Sequence, residues 1–128
     1  MKVTDESKTI IGLVEHVKLK EKDGLKSFYA RIDTGASKSS IDKQLVLELG
    51  IGPIIRQATI KSAEGKSDRP VVNLMVVLAG KKLTGEFTIA SRTHMKFPIL
   101  IGRNILKHGF LIDPSKNVKK LIDIEGEK

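Results

Sequence analysis

The chain has 128 residues, a length that suits one domain, and 23 Lys and Arg against 15 Asp and Glu give it a formal charge of +8. Hydrophobic residues make up 40% of it, which argues against wholesale disorder, while aromatics are only 4% with no Trp, which disfavours base-stacking platforms for single-stranded nucleic acid. Cys is absent, so disulfides, thiolate metal sites and a Cys nucleophile are excluded.

Residues 1–8 are polar and carry no apolar run of the kind that makes a signal peptide. The longest apolar stretch, Val71–Ala79, is broken by Asn73 and far too short to span a bilayer. A soluble, basic, cytoplasmic protein is expected. Ile10–Lys20 is rich in Ile, Val and Leu and alternates from Leu13 onward, the period of a strand with one buried face. Glu21-Lys22-Asp23-Gly24 reads as a hairpin turn, since Asp-Gly supplies the positive φ angles a tight hairpin needs, and Lys26–Ile32 is the returning strand. Asp33-Thr34-Gly35-Ala36 interrupts it. Asp42–Leu49 predicts a short helix with Asp42 as N-cap and Gly50 as its stop. Ile54–Lys61 reads as a strand, and 62–70, polar with one Gly, as an exposed loop or hairpin tip. Val71–Leu78 and Lys82–Ala90 flank Ala79-Gly80-Lys81 as another hairpin. Pro98–Ile101 is a short, continuously apolar run of the kind that forms a fully buried strand. Arg103–His108 predicts one or two helical turns stopped by Gly109, and Phe110–Ile112 and Val118–Ile124 predict the last strands. The pattern is mainly β with two short helices, a small closed or folded-over sheet. One domain is expected over 1–128, with its core at about 10–113, a polar N-terminus at 1–8 and a tail at 114–128.

The most informative stretch is Ala30-Arg31-Ile32-Asp33-Thr34-Gly35-Ala36-Ser37. Asp33 directly follows an apolar strand, which leaves its carboxylate partly desolvated, and Gly35 permits the close approach of another backbone. By itself Asp-Thr-Gly reads equally well as a strand-to-turn Asp that bonds its own backbone. Later in the chain, Phe97–Leu106 is an apolar strand, a Gly and a short, polar-led helix. Together the two stretches resemble the retropepsins, the retroviral-type aspartic proteases. These have one hydrophobic-Asp-Thr-Gly-Ala turn per chain, then a buried apolar strand, Gly-Arg-Asn or similar, and a short helix. The polar tip at 62–70 lies where that family keeps its flap. A bacterial and archaeal branch of the fold is more similar still. Ile32–Ala36, the run Arg92-Thr93-His94-Met95-Lys96-Phe97-Pro98-Ile99-Leu100-Ile101-Gly102-Arg103 and Ile112-Asp113-Pro114-Ser115 resemble its three characteristic stretches. Members of this branch are often labelled ATP-dependent zinc proteases, and some are associated with a ligase that adds glutamates to a ribosomal protein. The chain holds neither His-Glu-x-x-His nor Gly-x-x-x-x-Gly-Lys-Ser/Thr, and His16, His94 and His108 are far apart in sequence. No metal and no other cofactor is therefore expected.

The resemblance implies a retropepsin-like β-barrel and an aspartic endopeptidase. One Asp-Thr-Gly per chain implies a homodimer in which the two copies of Asp33 meet at the two-fold axis. One carboxylate then activates a water and the other, protonated, polarises the substrate carbonyl. Asp33, Thr34 and Gly35 are the candidate catalytic residues, Thr34 bonding across the axis and Gly35 presenting its backbone to substrate. Ala36 stands where pepsin-like enzymes carry a Ser whose hydroxyl stabilises the ionised pair. Alanine cannot donate that bond, so activity is expected in mild acid to neutral solution. Ala36 and Ser37, with Ser62, Ala63, Glu64 and Gly65 of the flap tip, are candidate substrate-binding residues. Gly102 would pack beneath the catalytic loop, with Arg103 supporting it. In retroviral enzymes the matching Arg pairs with an acid at the position that is Ser37 here, so Arg103 is expected to find Asp42, Asp113 or the partner chain. The charge of +8 suits an acidic or glutamate-rich peptide or protein substrate by electrostatic steering. The alternative is a non-proteolytic module of the same fold that binds RNA, the ribosome or an acidic peptide through its Lys residues. Ordinary solvation of β edges by Lys also explains that charge.

Overall fold

The computed structural model describes residues 7–21, 23–63, 65–92 and 96–118. In chain order these form β1 (Thr9–Ile11), β2 (Val14–Glu21), β3 (Gly24–Ile32), β4 (Ser39–Asp42), α1 (Lys43–Leu49), β5 (Ile54–Ser62), β6 (Gly65–Leu78), β7 (Lys81–Ala90), β8 (Ile99–Ile101), α2 (Arg103–Leu106) and β9 (Phe110–Ile112). The fold is mainly β. Strands β2-β3-β8-β4-β7-β6 close into a six-stranded barrel through the pairing of β2 with β6, and β5 adds to the outer edge of β6.

The alternation along β2 buries Glu15, Val17 and Leu19 and turns Lys18 and Lys20 to solvent. A positive φ of 130° at Gly24 closes the β2–β3 hairpin, with Glu21 opposite Gly24. The β6–β7 hairpin turns at Ala79 and Gly80, both with positive φ. Inside the barrel, Val17, Leu19, Ile41, Val72, Phe87, Ile99 and Ile101 are fully out of contact with water. Helix α1 starts where Asp42 Oδ2 accepts the Gln44 N–H at 3.1 Å and ends at Gly50 in the left-handed region, burying Leu45 and Val46. Short β1 runs parallel to β9, outside the barrel. Among the described residues no helix is long and apolar enough to cross a membrane.

Two features differ from the sequence reading. Within 62–70, expected as an exposed loop or hairpin tip, Ser62 and residues 65–70 are strand, because the β5–β6 ladder runs from Ile54–Val72 out to Ser62–Gly65 and leaves only the last turn as the tip. Most of this arm is solvated on both faces, so no apolar period marks it. Strand β4 carries Ser-Ser-Ile-Asp, a turn-like composition, yet all four residues are buried between β8 and β7. The strand expected at Val118–Ile124 lies, from 119 on, outside the described residues, as do most of the polar N-terminus, Lys22, Glu64 and His94.

Candidate functional site

Asp33 follows the last residue of β3. Its N–H donates to the Ile101 carbonyl at 2.9 Å, which continues the parallel β3–β8 pairing by one step and delivers the carboxylate to the barrel rim. The side chain is half-buried, and Oδ1 accepts the Gly35 N–H at 2.9 Å. The Asp33 carbonyl accepts the Ala36 N–H at 3.2 Å, so Asp33 to Ala36 form a tight turn. Thr34 and Gly35 at its tip are exposed, Ala36 is half-buried and Ser37 is exposed.

The turn rests on the start of α2. Backbone N–H groups of Arg103 and Asn104 donate to the carbonyls of Ala36 and Ser37, at 2.8 and 3.2 Å. Gly102 lies directly under the loop: a Cβ there would stand 2.3 Å from the Lys38 oxygen and 2.9 Å from the Ala36 oxygen. Only a residue without a side chain fits that gap. Arg103 Nη1 donates to the Thr34 carbonyl at 2.8 Å. Asp42 and Asp113, two of the three partners expected for it from the sequence, are not its acceptors. Asp42 accepts the backbone N–H groups of Gln44 and Arg92, and Asp113 accepts from Ser115. A peptide oxygen of the Asp33 turn thus takes the bond that an acid at position 37 could have taken.

A second layer lies beneath. Ser39 Oγ, fully buried, accepts the Gly102 N–H at 2.9 Å and donates to Asn104 Oδ1 at 2.8 Å, while Asn104 Nδ2 donates to the Glu86 carbonyl. Ser39 and Asn104 escaped the sequence reading. The available signal was the polar run Ser37–Ser40 beside an apolar barrel strand.

Beside the turn opens a cavity of about 520 Å³. Gly35, Ala36, Ser37 and Lys38 form one wall, Thr59, Ile60, Lys61 and Arg69 of the arm form the wall opposite, and Ser40, Thr88, Arg92 and Leu100 complete it. The flanks of the arm line it. Among the described residues Ala63 and Gly65 at the arm's tip do not, and Ser62 ends β5 opposite Gly65. Glu64 is outside the described residues. Among the described residues, four of the lining side chains are cationic and none is a carboxylate.

Arg92, which the sequence reading gave no role, is the best-held of the four. Its backbone N–H reaches Asp42 Oδ1 at 2.7 Å, Nε reaches the Phe97 carbonyl at 3.1 Å, and Nη1 reaches Ser40 Oγ at 3.3 Å. Burial, above all, pulls the Arg92 guanidinium below its ordinary pKa; Arg69 and Arg31 act in the same direction, and Asp42 and Asp33 oppose them. Among the described residues, no cluster of His, Asp and Glu suited to a metal ion occurs. His16 lies on β2, packed against Tyr29, and His108 follows α2.

A family model described as RimB-like, retropepsin-like aspartic endopeptidase RimB, matches residues 43–121, more than half of the chain. The matched span takes in the arm, Arg92, Gly102 and Arg103 and begins after Asp33. Among solved structures, a Legionella pneumophila protein of unknown function (DUF785) aligns with a TM-score of 0.62 at 24% identity, over 86% of this chain and 96% of that one. At that identity the likeness concerns the fold. A comparison with curated proteins finds no match.

Proposed function

The chain belongs to the RimB-like family of retropepsin-like aspartic endopeptidases, and from that premise we propose that it hydrolyses peptide bonds as a homodimer. Asp33 of one protomer and Asp33 of the partner subunit share a proton and a water. The ionised carboxylate takes a proton from the water as it attacks the scissile carbonyl, and the protonated one donates to the carbonyl oxygen. The pair titrates as a unit.

The observation that carries this reading is the presentation of Asp33. A half-buried carboxylate stands at the rim of the barrel, on a turn whose carbonyls are tied down by Arg103 and Asn104, beside a cavity roomy enough for substrate side chains. Such fixing serves catalysis, since a group held in its reacting geometry does not have to be ordered in the transition state. The exposure of Thr34 and Gly35 leaves the tip of the turn open for the two-fold contact. The substrate is an acidic, glutamate-rich peptide or protein, in keeping with the cationic lining of the cavity and the overall charge of +8.

The test is incubation of concentrated protein with a diverse peptide library from about pH 4 to about pH 8, read by mass spectrometry, with Asp33→Asn alongside. Asn keeps an oxygen for the Gly35 N–H, so the turn is preserved and cleavage falls by about a thousandfold or more. Undiminished cleavage by the variant would sink the proposal. A strictly monomeric mass in a sample that cleaves would sink the paired-carboxylate form of it.

A further inference from the structure

The four cations around the cavity are not equivalent. Lys38 and Lys61 are exposed, and Arg69 is half-buried on the arm. Exposed charges of this kind act mainly at long range and are screened by salt. Arg92 is different. Three hydrogen bonds fix its backbone and guanidinium, and it is half-buried against the barrel wall. Of the five guanidinium donors, the Phe97 carbonyl and Ser40 Oγ take one each, and the Nη2 pair has no acceptor among the described residues. None of the four cations is in an ion pair among the described residues, although they line one cavity. A planar fork of N–H donors, held in place and partly desolvated, is the group that discriminates a carboxylate from its neutral amide isostere.

We propose that Arg92 is the specificity-determining residue of this site, its guanidinium receiving a side-chain carboxylate of the bound peptide through Nη2 while Arg69 and Lys61 approach that carboxylate from the arm. This rests on the acidic-peptide reading above and assigns the residue that enforces it. The division of labour follows from how each cation is held. Arg92 sets the preference for Glu over Gln, and Lys38 and Lys61 speed encounter. Because the carboxylate bridges the barrel wall and the arm, it also draws the arm towards the Asp33 turn, offsetting the repulsion of four like charges.

The test separates binding from cleavage. Fluorescence anisotropy measures the affinity of a labelled peptide carrying a run of glutamates and of its all-glutamine counterpart, with Asp33→Asn protein, so that no peptide is cut. The parent should favour the glutamate peptide by about tenfold or more, and adding Arg92→Gln should reduce that ratio to about twofold or less. Arg69→Gln and Lys61→Gln should reduce the salt dependence of binding to the glutamate peptide and lower the ratio by less than Arg92→Gln does. An unchanged ratio in a folded Arg92→Gln protein overturns the assignment, as does a parent that does not distinguish the two peptides. If Arg92→Gln fails to fold by circular dichroism, Arg92→Lys decides. A ratio reduced by about threefold or more supports the assignment, since Lys keeps the charge and loses the fork, and an unreduced ratio overturns it. Tighter binding of single-stranded RNA than of the glutamate peptide also overturns it. Glutamate selectivity that depends on Arg92, in a protein that cleaves nothing, removes the protease reading and leaves this one standing.

Discussion

The Asp33 turn and the arm of β5 and β6 face each other across one cavity and are held in different ways. The turn has no regular secondary structure, yet the carbonyls of Thr34, Ala36 and Ser37 each accept a bond from Arg103 or Asn104, and the Asp33 N–H extends the β8 pairing. Gly102 presses against it from below. The arm, by contrast, has a ladder running from Ile54 to Ser62, but Ala58 is the only buried residue among those described on β5. Backbone hydrogen bonds open to water add little net stability, and segments that bury few apolar groups open most easily. Regular secondary structure and rigidity therefore fall in different places here. The irregular turn is the fixed wall and the regular hairpin is the yielding one.

The sharpest way to break that comparison is to disturb the fixed wall. Gly102→Ala would place a Cβ among backbone atoms of Lys38 and Ala36, and at a φ of −102° the penalty is steric alone. We expect a loss of about 3 kcal/mol, seen as a lower urea midpoint; a wild-type midpoint would mean that the turn gives way freely. Ser39→Ala removes the buried hydroxyl that joins the Gly102 N–H to Asn104, leaving a donor and an acceptor unmatched, and should cost about 2 kcal/mol. On the arm, Arg56→Ala removes an exposed ion pair with Glu86 and should cost about 0.5 kcal/mol or less; a loss as large as that of Ser39→Ala would show the arm to be as tightly integrated as the turn.

Asp113, in the turn after β9, belongs to neither wall and serves as a reference. The Ser115 hydroxyl first, and then the Ser115 N–H, hold its carboxylate below the usual range, with Lys116 adding to the effect. With the folded pKa below the unfolded one, the associated stability is complete above the unfolded pKa and is lost as the pH falls through the folded value. Ser115→Ala should return the Asp113 titration towards the ordinary carboxylate range, observable by NMR. An unmoved titration would show that the hydroxyl is not the cause.

Much of the fold was legible in the sequence because it is locally encoded. Alternation marked β2, Asp-Gly marked the β2–β3 turn, and Asp42 and Gly50 bracketed α1. Each of these signals depends on neighbours a few residues apart. Strand β4 was not legible, since Ser-Ser-Ile-Asp looks solvated until β8 and β7 flank it. The outer β5–β6 ladder was not legible either, because a hairpin wet on both faces carries no apolar period.

The sequence by itself determined the chemistry on offer: one Asp-Thr-Gly turn, a Gly-Arg-Asn segment after an apolar strand, no thiol and an excess of positive charge. Tertiary structure alone decided what those groups face. Closing the barrel through β2 and β6, and inserting β8 between β3 and β4, set Gly102 under Lys38 and Arg103 on Thr34. The same closure gathered Lys38, Lys61, Arg69 and Arg92 from four separate stretches into one cavity. The physical reason is that strand pairing is non-local. Pairing partners are chosen by the burial of whole faces, and side chains far apart in sequence become neighbours only as a consequence of that choice.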